Sequence, residues 1–92
     1  MKIVSVKPKL TWIERAVETA RFHASKIRDN PSWILDDTAK ELRRSRGSIS
    51  DDILIASWLK THEHKLKEYK YAKDALAFIR LKRRQMLLDS LD

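Results

Sequence analysis

With 92 residues, of which 42% are hydrophobic, the chain is long enough for one small domain with a modest core. One glycine and two prolines are too few turn-forming residues for an all-β fold with many hairpins, and the lack of cysteine excludes disulfides, Cys-based zinc sites and thiol nucleophiles. Twenty basic residues against 13 acidic ones give a net charge of +7, which points to nucleic acid or an anionic membrane surface as the partner.

Residues 1–10, MKIVSVKPKL, are the least helical part of the chain. Ile3, Val4 and Val6 are β-branched, and Pro8 stops any regular element. We interpret this segment as an N-terminal arm or a short strand. A loosely ordered terminus, a strand exchanged in a dimer and a basic arm lying along DNA are the alternatives.

A first helix is predicted from about Thr11 to Arg28. Thr11 and Glu14 have the spacing of a capping box, which satisfies free N–H groups at a helix start. Pro31 disfavours a helical conformation at Asn30 and ends the helix. Apolar residues at helical spacing predict one inward face, which comprises Ile13, Ala16, Val17, Ala20, Ala24 and Ile27.

A short second helix is predicted at about Leu35 to Leu42, and a third at about Arg46 to Lys60 with Ser45 as its cap. The stretch ILIASWL in the third helix is apolar nearly all round. We therefore expect the last helix or a second subunit to cover it. The predicted inward stripe of the third helix is Ile49, Ile53, Ala56 and Leu59.

The segment THEHKLKEYK is polar and basic, and it is compatible with a short helix around Glu63 to Tyr69. A final helix is predicted at about Ala72 to Leu91, with an apolar face that Phe78, Leu81 and Leu88 broaden. Nine basic and three acidic residues between Lys60 and Arg84 hold most of the excess charge. The expected fold is an all-α domain of four or five helices over residues 11–92.

The second and third helices, with their turn, have the residue types of a helix-turn-helix at about residues 35–60. Such a motif needs a small residue where the helices cross, apolar residues on the facing sides and a polar start to the second helix. Ala39 is the small residue, and Leu42 and Ile49 are expected to face each other across the turn. The polar start is Ser45, Arg46, Gly47, Ser48 and Ser50.

The segment DTAKELRRSRGSIS, residues 37–50, resembles the helix-turn-helix of DNA-binding proteins of bacteria, phages and plasmids, most of all ParB-like partition proteins. The family pattern is roughly A-x-x-L-G-hydrophobic-S-x-x-x-V/I-S, and it is matched by Ala39, Leu42, Ser45, Ile49 and Ser50. The resemblance covers about a quarter of the chain. It implies a transcriptional regulator or a plasmid or phage DNA maintenance factor that binds double-stranded DNA. Such a protein would act in the cytoplasm of a bacterium or, if viral, of its host cell.

The chain departs from the family pattern in three places. Arg43 and Arg44 stand where the family has glycine and an apolar residue, and the pair Asp51–Asp52 stands where basic residues are common. The aliphatic stem of Arg44 is expected to replace the apolar contact in part. The acids favour the start of a helix but repel phosphates.

Positions in the motif imply the roles of individual residues. Ser45, Arg46, Gly47, Ser50 and Asp51 would face bases, with Arg46 the best candidate for two hydrogen bonds to guanine. Asp51 would accept a hydrogen bond from cytosine or, as the simpler alternative, cap the helix. The residues expected to face phosphates are Arg43, Arg44 and Lys40. A second phosphate site is expected at Arg80, Lys82, Arg83 and Arg84, with an ordinary exposed helix face as the alternative.

Other chemistry is sparse. His62 and His64 lack further ligands nearby, so no metal site is expected, and a single glycine rules out a phosphate-cradling loop. We expect no catalysis and no cofactor. No membrane partner is expected either, because no apolar stretch approaches the roughly 18–20 residues that a membrane span needs. A homodimer is expected, because one recognition helix buries little surface and the last two helices are rich in apolar residues. Three alternatives remain: a protein-interaction adaptor built on a plain helical hairpin, a non-specific or RNA-binding module, and a viral packaging subunit that forms a ring on DNA.

Overall fold

The computed structural model describes residues 11–91, which form four helices: α1 (Trp12–Asp29), α2 (Leu35–Leu42), α3 (Arg46–Lys67) and α4 (Ala72–Ser90). No strand occurs among them, so the predicted all-α class is confirmed. The predicted arm, residues 1–10, lies outside the described residues. Helix α3 is central, since α1, α2 and α4 all pack against it, α1 most extensively. No helix in this part of the chain combines the length and apolar character that a bilayer crossing requires.

The start of α1 is fixed by the predicted capping box. The backbone N–H of Thr11 donates to the Glu14 carboxylate at 3.0 Å, and the Thr11 hydroxyl accepts from the N–H of Glu14 at 3.1 Å. The hydrogen bond from the Thr11 backbone lowers the pKa of Glu14. At the other end, Asn30 adopts an extended conformation, as the following Pro31 requires.

Helix α3 is longer than predicted and absorbs the short helix expected around Glu63. Residues 61–67 contain neither glycine nor proline, so nothing in the sequence breaks the helix there. His62 departs locally from helical geometry, with φ −127° and ψ 33°, and marks a kink. Beyond the kink, Leu66 is fully buried and fixes the last turn against the core. The chain therefore has four helices in its described part.

The core lies where α1, α3 and the first half of α4 meet. Its buried residues are Ala16, Ile55, Leu66, Ala75, Leu76 and Ile79. Trp12 and Trp58 are partly buried and pack against this cluster. Trp58 meets Phe78 of α4 edge to face, with ring centroids 6.4 Å apart, a favourable geometry for two aromatic rings.

The buried faces of α1 and α3 are rotated from the predicted ones. Thr19 and Ile55, which the sequence analysis left outside the inward stripes, are buried. Ile53 and Val17, which were predicted to face inward, are only half-buried. The predicted stripes were therefore partly wrong in direction. The apolar surface of each helix is wider than the surface that its neighbours cover, so periodicity alone did not locate the contact.

Helix α4 has two unlike halves. Ala75, Leu76 and Ile79 of its first half are buried, whereas every residue from 80 to 91 is exposed. The predicted apolar face is present throughout, but only its first half packs against the other helices of residues 11–91. The second half is a projecting helical segment that carries uncovered leucines.

Truncation of Ile55 and of Ile53 tests which face of α3 carries the core. Ile55→Ala should lower the free energy of unfolding by about 2–5 kcal/mol, because it leaves a cavity among fully buried neighbours. Ile53→Ala is the matched control and should cost less than about 1.5 kcal/mol. Urea denaturation followed by circular dichroism measures both. Both variants are measured at a chain concentration that keeps the protein monomeric, because Ile53 lies on a surface that a second copy could cover. A larger loss for Ile53→Ala than for Ile55→Ala would then contradict the observed orientation of the helix.

Candidate nucleic-acid interface

The turn between α2 and α3 is closed by a left-handed residue. Arg43 has φ 55° and ψ 47°, and among residues 11–91 it is the one non-glycine residue with positive φ. The N–H of Arg44 donates to the carbonyl of Ala39 at 3.0 Å, and the N–H of Arg43 donates to that of Lys40 at 3.2 Å. This is the Schellman arrangement, which usually has glycine at the left-handed position. The turn is thus closed in this chain without glycine.

The start of α3 is capped by Ser45, as predicted. Ser45 is extended, with φ −70° and ψ 152°, and its hydroxyl accepts from the N–H of Ser48 at 3.1 Å. At Gly47, a Cβ would meet no atom within 4 Å. Nothing within the described chain therefore requires glycine at this position. Without a side chain, Gly47 leaves the backbone of the first turn of α3 accessible.

The sequence predicts that Arg44 faces outward and binds phosphate. In the structure its side chain points into the turn instead. Its side chain is only 22% exposed, and Nη2 lies 2.7 Å from Oδ2 of Asp52, which is 1% exposed. Its Nε donates to the Ser48 hydroxyl at 3.1 Å. The guanidinium is thus held inside the turn, because a buried carboxylate requires a cationic partner.

Helix α1 completes the surroundings of Asp52. The Thr19 hydroxyl donates to Oδ2 of Asp52 at 2.9 Å and accepts from Nη1 of Arg44 at 3.0 Å. The half-exposed Arg15 approaches the same carboxylate at 3.4 Å. The Asp52 network, defined as Arg15, Thr19, Arg44, Ser48 and Asp52, therefore joins α1, the turn and α3. No buried side-chain nitrogen or oxygen among the described residues lacks a hydrogen-bond partner.

Three basic residues remain on the outside of the turn. Lys40, Arg43 and Arg46 are exposed and line one shallow depression beside Ser45. Nε of Arg46 lies 3.5 Å from a carboxylate oxygen of Asp36, and both side chains are mostly in water. An exposed pair of this kind contributes little energy, so Arg46 is easily released to another partner.

The other residues predicted to contact DNA differ in their exposure. Ser50 and Gly47 are exposed on the first turns of α3. Ser48 is turned toward Arg44, and Asp51 is half-buried with Oδ1 3.5 Å from Nη2 of Arg80. Arg80 thus links the start of α3 to the basic run of α4. The remaining residues of that run, Lys82, Arg83 and Arg84, are exposed on the projecting half of α4.

A hydrogen-bonded pair of contacts at Thr38 was missed by the sequence analysis. Thr38 is fully buried, its hydroxyl accepts from Nε1 of Trp33 at 2.7 Å, and Nδ1 of His23 lies 2.6 Å from the same oxygen. These contacts fix α2 against α1.

For Asp52, a signal was present in the sequence: it lies three residues after Ile49 and three before Ile55, and both of these are buried.

Comparison of the chain with protein families, with characterised proteins and with solved structures gives no match. Over residues 11–91, no three His, Asp or Glu side chains are grouped so that they could hold a metal ion. The geometry of the turn is therefore the basis for any functional assignment.

Neutralising the two neighbouring aspartates separately tests the Asp52 network. Asp52→Asn should lower the free energy of unfolding by roughly 2–4 kcal/mol, because it leaves the Arg44 charge without its partner. The loss is smaller than for a fully buried charge, since water reaches the exposed part of the Arg44 side chain. Asp51→Asn is the matched control and should change it by less than about 0.5 kcal/mol. Chemical denaturation measures both. Equal small effects would show that Asp52 does not hold the three elements together.

Replacement of Arg43 tests the strain in the turn. Arg43→Gly should raise the free energy of unfolding by about 0.5–1 kcal/mol, since glycine adopts positive φ without the steric cost that Arg pays. Arg43→Ala removes the same charge but keeps the Cβ atom, and it should stay within about 0.5 kcal/mol of the wild type. Thermal unfolding gives the comparison. Stabilisation by Ala as large as that by Gly would identify charge, rather than backbone conformation, as the cause.

Proposed function

We propose that this chain binds double-stranded DNA in a sequence-specific manner, with the N-terminal part of α3 in the major groove. The observation that carries the proposal is the group of three uncovered basic side chains, Lys40, Arg43 and Arg46, around a capped helix start. Phosphate contacts by such residues fix the register on DNA, while base contacts provide specificity. The proposed role is a transcriptional regulator or a plasmid or phage DNA maintenance factor.

The first turns of α3 support base contact at two positions. Arg46 and Ser50 are four residues apart and exposed, so they lie on the same side of the helix, one turn from each other. Arg46 carries the planar fork that pairs with O6 and N7 of guanine. Gly47 beside it leaves room for the DNA backbone or a base edge, since its Cβ position is open.

We propose phosphate contacts that differ from those expected from the sequence. Arg44 is engaged with Asp52, so we assign the backbone contacts to Lys40 and Arg43. The exposed residues Lys82, Arg83 and Arg84 supply a second positive surface on α4. Affinity from such contacts falls steeply with salt, because binding releases counterions from the DNA.

We propose that the chain binds as a homodimer. A single recognition helix buries little surface, and two half-sites one helical turn apart raise the affinity of a two-fold symmetric protein. The uncovered leucines of α4 provide apolar surface for self-association.

A second candidate is sequence-independent binding of nucleic acid. Four basic residues, Arg80, Lys82, Arg83 and Arg84, lie exposed within five positions of α4, and such a surface attracts any phosphate backbone. This candidate differs from the first in its prediction for Arg46, which would then act as one positive charge among many.

Substitutions at the two ends of α3 distinguish these candidates. Arg46→Ala should weaken binding to a site selected from a random DNA library by about 5- to 150-fold, because the bidentate contact to guanine is lost. Its effect on scrambled DNA should be small. Lys67→Ala is the matched control, since Lys67 lies at the far end of α3 and pairs with Glu63 at 2.7 Å. Fluorescence anisotropy with labelled duplexes at several salt concentrations measures both.

Two outcomes would contradict the proposal. Absence of binding to any duplex at low salt would exclude the DNA function and favour a protein-interaction adaptor. Equal losses for Arg46→Ala on selected and scrambled DNA would show that Arg46 reads no base, and they would favour the sequence-independent candidate.

A further inference from the structure

Two apolar surfaces of this chain have no partner within the described residues. The first, the α4 tail, is the projecting segment 81–91, in which Leu81, Met86, Leu87, Leu88 and Leu91 are each 56–80% exposed. The second, the α1–α3 groove, is an open cleft between α1 and α3. Its apolar and small lining residues are Ile13, Val17, Ala20, Ala24, Ile53, Ala56, Ser57 and Leu59.

The groove has the dimensions and lining that a helix requires. It follows α1 from Thr11 to Ala24, about 20 Å at the helical rise, and the tail from 81 to 91 is about 15 Å long. Ala20, Ala24 and Ala56 keep its floor low, so a docked helix axis can come within the usual 8–10 Å of α1 and α3. No residue of α4 lines the groove, so the tail of the same chain does not fill it.

We propose that the α1–α3 groove binds the α4 tail of a second copy of this chain, and that two such contacts hold a symmetric homodimer. Each chain gives its tail to the other and receives the other's tail in its own groove. The proposal deepens the homodimer part of the proposed function and uses both uncovered surfaces at once.

The area available favours this pairing over contact between the two tails. The four leucines of one tail share one side of the helix and expose roughly 500 Å², so a contact between two tails buries at most about 1,000 Å², below the range of a standard complex. Two contacts between a tail and a groove bury roughly twice that area, which exceeds the standard interface size of about 1,600 Å². The groove also explains why the ILIASWL stretch of α3 is apolar nearly all round. One side of this stretch faces the core and the other lines the groove.

Two of the charged residues that line the groove along α1 match two charged residues of the tail in one orientation. Glu14 and Arg21 line the groove seven residues apart on α1, and Lys82 and Asp89 lie seven residues apart on α4. Seven residues are close to two helical turns, so each pair lies along one side of its helix. A tail that runs parallel to the partner's α1 places Lys82 beside Glu14 and Asp89 beside Arg21. The opposite orientation would place like charges together.

The α4 tail and the groove can be tested separately, without DNA. Leu88→Glu places a charge on the tail, and Ala20→Glu places one in the groove; Ala77→Glu, on an exposed part of α4 outside both surfaces, is the matched control. Light scattering at defined concentrations should give twice the 10.9 kDa chain mass for the wild type and for Ala77→Glu. Each of the other two variants should weaken dimerisation more than tenfold. Circular dichroism confirms that all of them keep their helices.

A mixture of the two damaged variants provides the decisive comparison. Leu88→Glu retains a sound groove and Ala20→Glu retains a sound tail, so mixing them should restore one of the two contacts and give a heterodimer. Charge exchange tests the orientation: Arg21→Glu and Asp89→Arg should each weaken the dimer several-fold, and the double variant should recover it.

The proposal would be overturned by any of three results. A wild-type chain that stays monomeric at 100 μM would show that the groove does not bind the tail of a second copy. An Ala20→Glu protein that dimerises like the wild type would point to contact between the tails. A charge-exchanged double variant as weak as its single parents would refute the parallel orientation. Since no DNA is present, none of these results bears on whether the chain binds DNA.

Discussion

The ion pair between Arg44 and Asp52 is the interaction on which the arrangement of this domain depends. It lies in the angle between the turn and α3, and the Thr19 hydroxyl extends it to α1. A buried carboxylate is costly unless its oxygens are paired and hydrogen-bonded. The network meets this requirement only when the three elements stand in one relative orientation. The ion pair therefore selects the position of α3, and with it the surface that Arg46 presents.

The same ion pair gives a common explanation for two departures from the helix-turn-helix pattern. An apolar residue is replaced by Arg44, and an acid occurs at position 52 on the inward side of α3. Arg44 puts a charge at an apolar position of the pattern, and Asp52 puts a negative charge where basic residues are common; together they neutralise each other inside the fold. The third departure, Arg43 in place of glycine, is accommodated by backbone strain, since the left-handed conformation is present without glycine.

Among residues 11–91, incomplete coverage of the apolar surfaces is the second general property of the structure. Helix α3 is covered by α1 and by the first half of α4, while the side that carries Ile53 and Ala56 remains open. The second half of α4 is equally uncovered. A chain of this size has little core to spare, and stability through a partner is a common solution for small domains. The basic turn and the apolar surfaces are thus separate features of the described residues.

The sequence by itself determined the local structure. The Thr11 capping box, the stop at Pro31, the cap at Ser45 and the extents of α1, α2 and α4 follow from short-range rules, because caps and breakers act within a few residues. What only the tertiary structure decided was the direction in which each side chain points. Periodicity gave α1 and α3 broad apolar faces but not the part that would be covered, so Ile53 was misplaced. Arg44 and Asp52 were read as separate surface charges, because only the packing of α1 against the turn shows that Thr19 completes their shared site.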